Sequence, residues 1–289
     1  MLIEEPEIYQ HPHKQELISQ AFYEICEGFS ESTGIRFQIV FTTHSEKFIG
    51  ISKFQSARIL RRECVDEIIN HSASSVSVKD CCAHFATLLD KEPISEDAFE
   101  AKMHIFTREV CEGFFAEKVI LVEGVTDRAI MDGYYQHLGR NRLAEGISII
   151  PMDGKTKMDK PFHIFNKLGI PTFCIFDSDA NKPAKKQKPA PNVLLQKIAC
   201  ADNPVDFPDG VFANYAAYED NLEAYLKSVL GDEFEADFEA LSEEYGLPKA
   251  DILKTPMALN NVFARALAKG KVFEKLDRIV AAVNAAQSF

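Results

Sequence analysis

Two acidic clusters have the composition and spacing to do chemistry. Glu123-Gly124-Val125-Thr126-Asp127 and Asp177-Ser178-Asp179 each follow a short apolar run, Lys118 to Val122 (KVILV) and Thr172 to Phe176 (TFCIF). Carboxylates are hard oxygen donors. Four of them crowded together would repel and raise one another's pKa, whereas a shared Mg²⁺ or Mn²⁺ makes the arrangement favourable. The chemistry on offer is metal-assisted work on a phosphodiester, with ions activating water and stabilising a leaving oxygen.

The two runs are β-branched or aromatic and bounded by turn or helix-start residues, the signature of strands covered on both faces. Their acids therefore lie where strands leave the core, and in open parallel sheets ligands sit at that carboxyl edge. Glu123 ends its strand, Gly124 permits close backbone approach, and Thr126 is expected to cap a helix from about Asp127 to Leu138. Asp127 then stands in the first helical turn, near the point that Glu123 faces. Asp177 and Asp179 project on one side as long as the chain stays extended. Each motif alone has a plainer explanation. An acidic helix start complements the helix dipole, and Asp-x-Asp after a strand recurs in response-regulator-like and other doubly wound folds. Both motifs in this order, separated by a strand-helix unit, resemble a Toprim domain, the metal-binding fold of topoisomerases, primases and a set of nucleases. The resemblance covers about Phe115 to Leu230.

The first sixty residues have a different character. Met1-Leu2-Ile3 leads into Glu4-Glu5-Pro6-Glu7, and Ile39-Val40-Phe41 into Thr42-Thr43-His44-Ser45, with helical periodicity from His13 to Phe29 between them. The first segment resembles the Walker B strand of an ABC-type ATPase and the second its switch-histidine loop, which by that resemblance makes Glu4, Glu5 and His44 the inherited positions. No G-x-x-x-x-G-K-[ST] loop to cradle phosphates occurs in the sequence. The chain is accordingly expected to begin inside an ATPase domain, whose remainder could lie on another chain. Calorimetry of this chain with a non-hydrolysable ATP analogue should show no saturable binding.

An ABC-type ATPase tail followed by a Toprim domain is the order found in the overcoming-lysogenization-defect (OLD) family of nucleases, which the chain resembles over nearly its whole length. The resemblance implies a DNA endonuclease using two Mg²⁺ or Mn²⁺ ions, with Glu123 and Asp127 on one side of the pair and Asp177 and Asp179 on the other. A further acidic ligand is implied after the next strand, which is read at Val211 to Ala213; Glu223 is the first choice and Glu219 the reserve. The family's catalytic lysine falls at Lys254, ahead of a C-terminal helix, where it would neutralise transition-state charge. Lys155, in the turn Asp153-Gly154-Lys155, could approach a phosphate. The extended segment Asn181 to Pro191 carries Lys182, Lys185, Lys186 and Lys188 directly after the second acidic pair, placed to grip a nucleic-acid backbone.

The expected fold class is α/β. Residues 1–62 read as a C-terminal fragment of an ABC-type ATPase domain and residues 63–114 as a helical connector or dimerisation segment, so a homodimer is expected. Residues 115–230 read as a Toprim-type parallel sheet flanked by helices, and residues 231–289 as a C-terminal helical region completing the nuclease module. From Arg61 to Glu112 no strand pattern is evident, and Met257 to Ala286 reads as two helices broken at Lys269-Gly270.

Composition sets outer limits. The 289 residues can bury a sizeable core, and 46% hydrophobic with 26% charged content describes an ordinary globular protein. No apolar stretch approaches the ~20 residues that cross a bilayer, and the start is acidic where a secretory signal is basic, so a cytoplasmic location without membrane contact is expected. Seven scattered cysteines without a C-x-x-C pair suit reduced thiols better than zinc or disulfides. The net charge of −12 is unusual for a nucleic-acid binder. Part of it belongs to the acidic clusters and part to Asp232 to Glu244, which reads as the solvated face of an amphipathic helix. Tyr134 and Tyr135 fall inside the first Toprim helix as packing residues, so no nucleophile for strand passage is evident. Two other functions fit the same motifs: an RNA-processing or primase-like Toprim enzyme, and a truncated subunit that binds DNA or a partner without cutting.

Overall fold

The structure is a computed structural model that describes residues 1–49, 54–65, 68–105, 107–187 and 189–289. Its strands form three sheets. β1 (Leu2–Glu4) and β2 (Val40–Thr42) pair in parallel, Leu2 opposite Val40, on either side of a helix at Pro12–Thr33. β3 (Ile59–Val65) and β4 (Ile68–Ser74) form an antiparallel hairpin, Ile59 opposite Ser74. The connector, expected to be helical throughout, therefore opens with two strands before its helices at Val78–Leu89, Glu96–Glu100 and Arg108–Cys111. Apolar residues fall side by side there, as Ile59-Leu60 and Ile68-Ile69. Leu60 is 73% exposed and Ile69 46%, so the alternation that betrays a half-buried strand never develops.

The third sheet positions the acidic clusters. β5 (Lys118–Val122), β6 (Ile147–Pro151), β7 (Thr172–Asp177), β8 (Gly210–Val211) and β9 (Tyr215–Tyr218) lie in the order β6-β5-β7-β9-β8. All pairings are parallel except that of β8 with β9. Side chains alternate across the sheet as strand geometry requires. Ile120, Val122, Phe173, Ile175, Ala216 and Tyr218 pack on one face against the helices Val125–His137, Leu222–Leu230, Pro256–Ala268 and Glu274–Ala285. Val119, Leu121, Cys174, Phe176, Tyr215 and Ala217 pack on the other, with the Val78–Leu89, Asp159–Lys167 and Pro189–Ile198 helices. Both faces are buried, which is why KVILV and TFCIF read as continuous apolar runs. Cys81, Cys82, Cys111 and Cys174 are buried free thiols, whereas Cys200 is exposed. Among the described residues, no helix is long and apolar enough to cross a membrane.

The Val125–His137 helix, which carries Asp127, is clamped by the Pro256–Ala268 helix at Gly133. A Cβ there would lie 2.8 Å from Leu259 Cβ and 2.9 Å from the Pro256 carbonyl oxygen. Backbone cannot yield as a side-chain tip can, so Gly133→Val should destabilise the fold by about 1–3 kcal/mol or more. The midpoint of urea unfolding should drop accordingly.

Candidate metal centre

β5 delivers Glu123 to the carboxyl edge, and Gly124 is the N-cap of the following helix. The Gly124 N–H donates to Asp127 Oδ2 at 2.9 Å. Thr126 is thus inside the helix and is not its cap. The helix starts two residues earlier than expected because the carboxylate of Asp127, the third residue of its first turn, satisfies the free cap N–H, the backward half of a capping box.

Asp177 ends β7, and its N–H donates to Glu123 Oε1 at 2.8 Å. Its own Oδ1 accepts the Leu222 N–H at 3.3 Å. The two clusters are therefore joined by a direct hydrogen bond between strand ends. Beyond Asp177 the chain does not stay extended. Asp179 adopts left-handed backbone with φ 60°, a conformation that Asp tolerates better than most residues. Its carboxylate turns to Lys155 Nζ at 2.8 Å and Lys182 Nζ at 2.5 Å instead of lying alongside Asp177.

Glu123, Asp127, Asp177 and Glu223 line one open polar cleft, together with Asp153 and Gly154. Glu223 stands in the first turn of the Leu222–Leu230 helix, whose N-cap Asn221 accepts the Ala224 N–H at 2.7 Å. Glu219 contributes its backbone, accepting from Ala180 and donating to Asp209, and does not line the cleft. The strand feeding this segment is β9, Tyr215–Tyr218, and not Val211 to Ala213, where the short antiparallel β8 has already ended at Val211.

Burial and mutual repulsion dominate the electrostatics. Burial, reinforced by the charges of Asp127, Glu123 and Asp179, pushes the Asp177 carboxyl up to about 9. Burial likewise raises Asp127 to about 6, against the Gly124 N–H that favours its charge. Glu123 is raised by burial, in part offset by the Asp177 N–H and Lys155. Burial acts upward on Asp179 too, but hydrogen bonds from Lys155 and Lys182 outweigh it and hold that carboxyl low. Hard oxygen donors that protonate for want of positive charge are a donor set that fits a divalent cation. Among the described residues no three His, Cys, Asp or Glu side chains already converge on one point, so closing around an ion requires these carboxylates to rotate within the cleft.

Of the candidate lysines, Lys155 belongs to the centre. It is 6% exposed, and its Nζ donates to the Asp177 carbonyl oxygen as well as to Asp179. The strained turn before it, with Asp153 at φ 55° and Gly154 at φ 111°, aims it inward. Lys254 instead pairs with Asp251 at 3.3 Å on the surface and does not line the cleft. Lys185 is exposed. The side chain of Lys186, and Lys188 altogether, lie outside the described residues. In the N-terminal segment Glu5 Oε1 and His44 Nε2 are 3.6 Å apart, and the His44 N–H donates to Glu7 Oε1 at 2.6 Å. Glu4 is exposed on β1. Sequence reasoning missed the Lys182–Asp179 pairing, whose i,i+3 spacing is a usable signal, and the buried Tyr218 beside Asp177, which carries none.

Comparison with known proteins finds relatives for two parts of the chain. A model described as "Overcoming lysogenization defect protein-like, TOPRIM domain" matches residues 114–179, and an AAA ATPase domain model matches residues 1–49. An OLD nuclease of Thermus scotoductus is 28% identical over 180 residues, covering 62% of this chain and 30% of the relative. Endonuclease GajA of Bacillus cereus is 28% identical over 200 residues, 64% of this chain and 27% of the relative. The Old nuclease of Escherichia phage P2 is 26% identical over 185 residues, 62% of this chain and 27% of the relative. The chain thus spans under a third of the length of these curated relatives. A segment that matches the OLD-like Toprim model, behind one that matches an ATPase model, makes this chain similar to OLD nucleases over part of their length.

Proposed function

We propose that this chain carries a divalent-cation-dependent nuclease site that hydrolyses DNA phosphodiester bonds. The observation that carries the reading is the hydrogen bond from the Asp177 N–H to Glu123, which binds the two acidic strand ends into one cleft. Relatives named as nucleases and an endonuclease support hydrolysis of a nucleic-acid backbone. Glu123 and Asp127 would hold one side of an Mg²⁺ or Mn²⁺ pair, Asp177 and Asp179 the other, with Glu223 closing the rim. Bound ions would supply Lewis acidity and an activated water. The protein's own residues do the positioning. Lys155 fixes Asp179 and the end of β7, and the helices Val125–His137 and Leu222–Leu230 place their positive dipole ends beside the acids of their first turns, Asp127 and Glu223. Lys182, half-exposed and tethered to Asp179, stands at the mouth where a phosphate backbone would pass.

Supercoiled plasmid incubated with the chain and Mn²⁺ should convert to nicked or linear forms, and a chelator should stop the conversion. Plasmid that stays supercoiled with both Mg²⁺ and Mn²⁺ contradicts the reading.

A further inference from the structure

Tyr218 is the last residue of β9 and stands opposite Asp177 in the parallel register. It is 1% exposed, in the layer with Val122, Ile175 and Leu222 that the Asp127-bearing helix covers. Its hydroxyl has no hydrogen-bond partner. A buried hydroxyl left unsatisfied costs free energy, and such a group calls for an explanation.

The surroundings narrow what that explanation can be. Besides burial, the groups whose charge reaches the phenol are Tyr225, Asp127, Asp177 and Asp209. Tyr225 is engaged, its hydroxyl accepting the Lys275 N–H at 3.2 Å, and Asp209 is paired with Lys275. Asp127 and Asp177 each have one oxygen held by a backbone N–H, from Gly124 and Leu222, which leaves the other oxygen of each without a hydrogen bond among the described residues. The orphan donor therefore lies in the buried layer directly behind the cleft, on the strand end paired with that of Asp177, one of the two half-satisfied carboxylates. Tyr135 also has an orphaned buried hydroxyl. That ring lies under Arg140, with its centroid 5.1 Å from the guanidinium carbon, near the C-terminal end of its helix and not beside Asp177.

We propose that Tyr218 is a positioning residue for the cation site, its hydroxyl donating to the free oxygen of Asp177 or Asp127 and orienting that carboxylate toward a bound divalent ion. The inference rests on the cleft being a cation site. It adds an outer group that holds a ligand in place, of the kind whose loss typically weakens metal affinity about 10- to 100-fold.

Tyr218→Phe removes the hydroxyl alone and keeps the ring beneath Lys275, whose Nζ is 4.1 Å from its centroid. Titration calorimetry with Mn²⁺ should show affinity at least about tenfold weaker than wild type, with Tyr135→Phe unchanged and the melting temperature in chelator preserved. In the wild type, Mn²⁺ should perturb the near-ultraviolet absorption of a buried tyrosine, and the perturbation should vanish in Tyr218→Phe. Equal Mn²⁺ affinity in wild type and Tyr218→Phe overturns the proposal while leaving the cleft intact, as does a wild-type spectrum that Mn²⁺ does not alter. A wild type that binds no Mn²⁺ overturns the cleft reading itself.

Discussion

Glu123→Ala and Asp179→Ala should each reduce metal-dependent plasmid cleavage by more than about 100-fold, beyond the loss expected from removing an outer-shell group. The two positions fail for different reasons. Glu123 is both a proposed ligand and the acceptor for the Asp177 N–H, so alanine removes a donor atom and unties the two strand ends. Asp179 anchors two ammonium groups, and its loss leaves Lys155 buried without a counter-charge, a change that is costly on its own. Companion variants separate chemistry from folding. Glu123→Gln keeps an acceptor for the Asp177 N–H and should fold while cleaving at background rates; Asp179→Asn keeps one acceptor oxygen for Lys155 and should be less destabilised than Asp179→Ala while cleaving as slowly. Cleavage that persists in both alanine variants would remove the proposed site.

Asp177→Asn should raise the melting temperature in chelator at pH 8 by a few degrees and abolish stabilisation by Mn²⁺. The sign follows from linkage. Folding raises Asp177 to about 9 and Asp127 to about 6, against an unfolded carboxyl near 3.9. The folded state therefore holds protons more tightly than the unfolded chain. The resulting stability is fully present below the unfolded value and is lost as pH rises through about 6 and then about 9. Wild-type protein in chelator should accordingly melt at progressively lower temperature from weakly acidic to alkaline pH, and Asp177→Asn should flatten the upper part of that decline. Asp179, held low by its lysines, works in the opposite direction: its contribution is present above the unfolded carboxyl value and fades in acid. Each kcal/mol recovered corresponds to about 2–4 °C in a domain of 150–250 residues. A melting temperature that is flat with pH, or that Asp177→Asn lowers at pH 8, contradicts the crowded-carboxylate account.

The centre was legible where burial writes itself into composition. KVILV and TFCIF are strands covered on both faces, and Glu123, Asp127 and Asp177 follow them within a few residues, so local pattern brought those acids to one edge. Legibility ended where tertiary packing decides. Asp179 was expected beside Asp177, but a left-handed residue turns it toward Lys155, a partner 24 positions earlier in the chain. The true strand before Glu219 is Tyr215-Ala216-Ala217-Tyr218, whose alanines carry little strand propensity, so the neighbouring Val211 to Ala213 looked the better candidate. Lys254 and Lys155 both sit beside a turn or a helix start, and only the contact of Lys155 with the end of β7, across from the turn after β6, shows that Lys155 is the one buried with the acids. The β3–β4 hairpin escaped notice because its apolar residues are adjacent in sequence, with Leu60 and Ile69 exposed.

A crystal of the chain soaked in Mn²⁺, with anomalous data collected at the manganese edge, tests the central claim most directly. Anomalous peaks should lie in the cleft between Glu123, Asp127 and Asp177, with Tyr218 behind them, and should disappear in Asp177→Asn crystals. Manganese that binds elsewhere, or a cleft that stays without a peak at saturating Mn²⁺, would contradict the account.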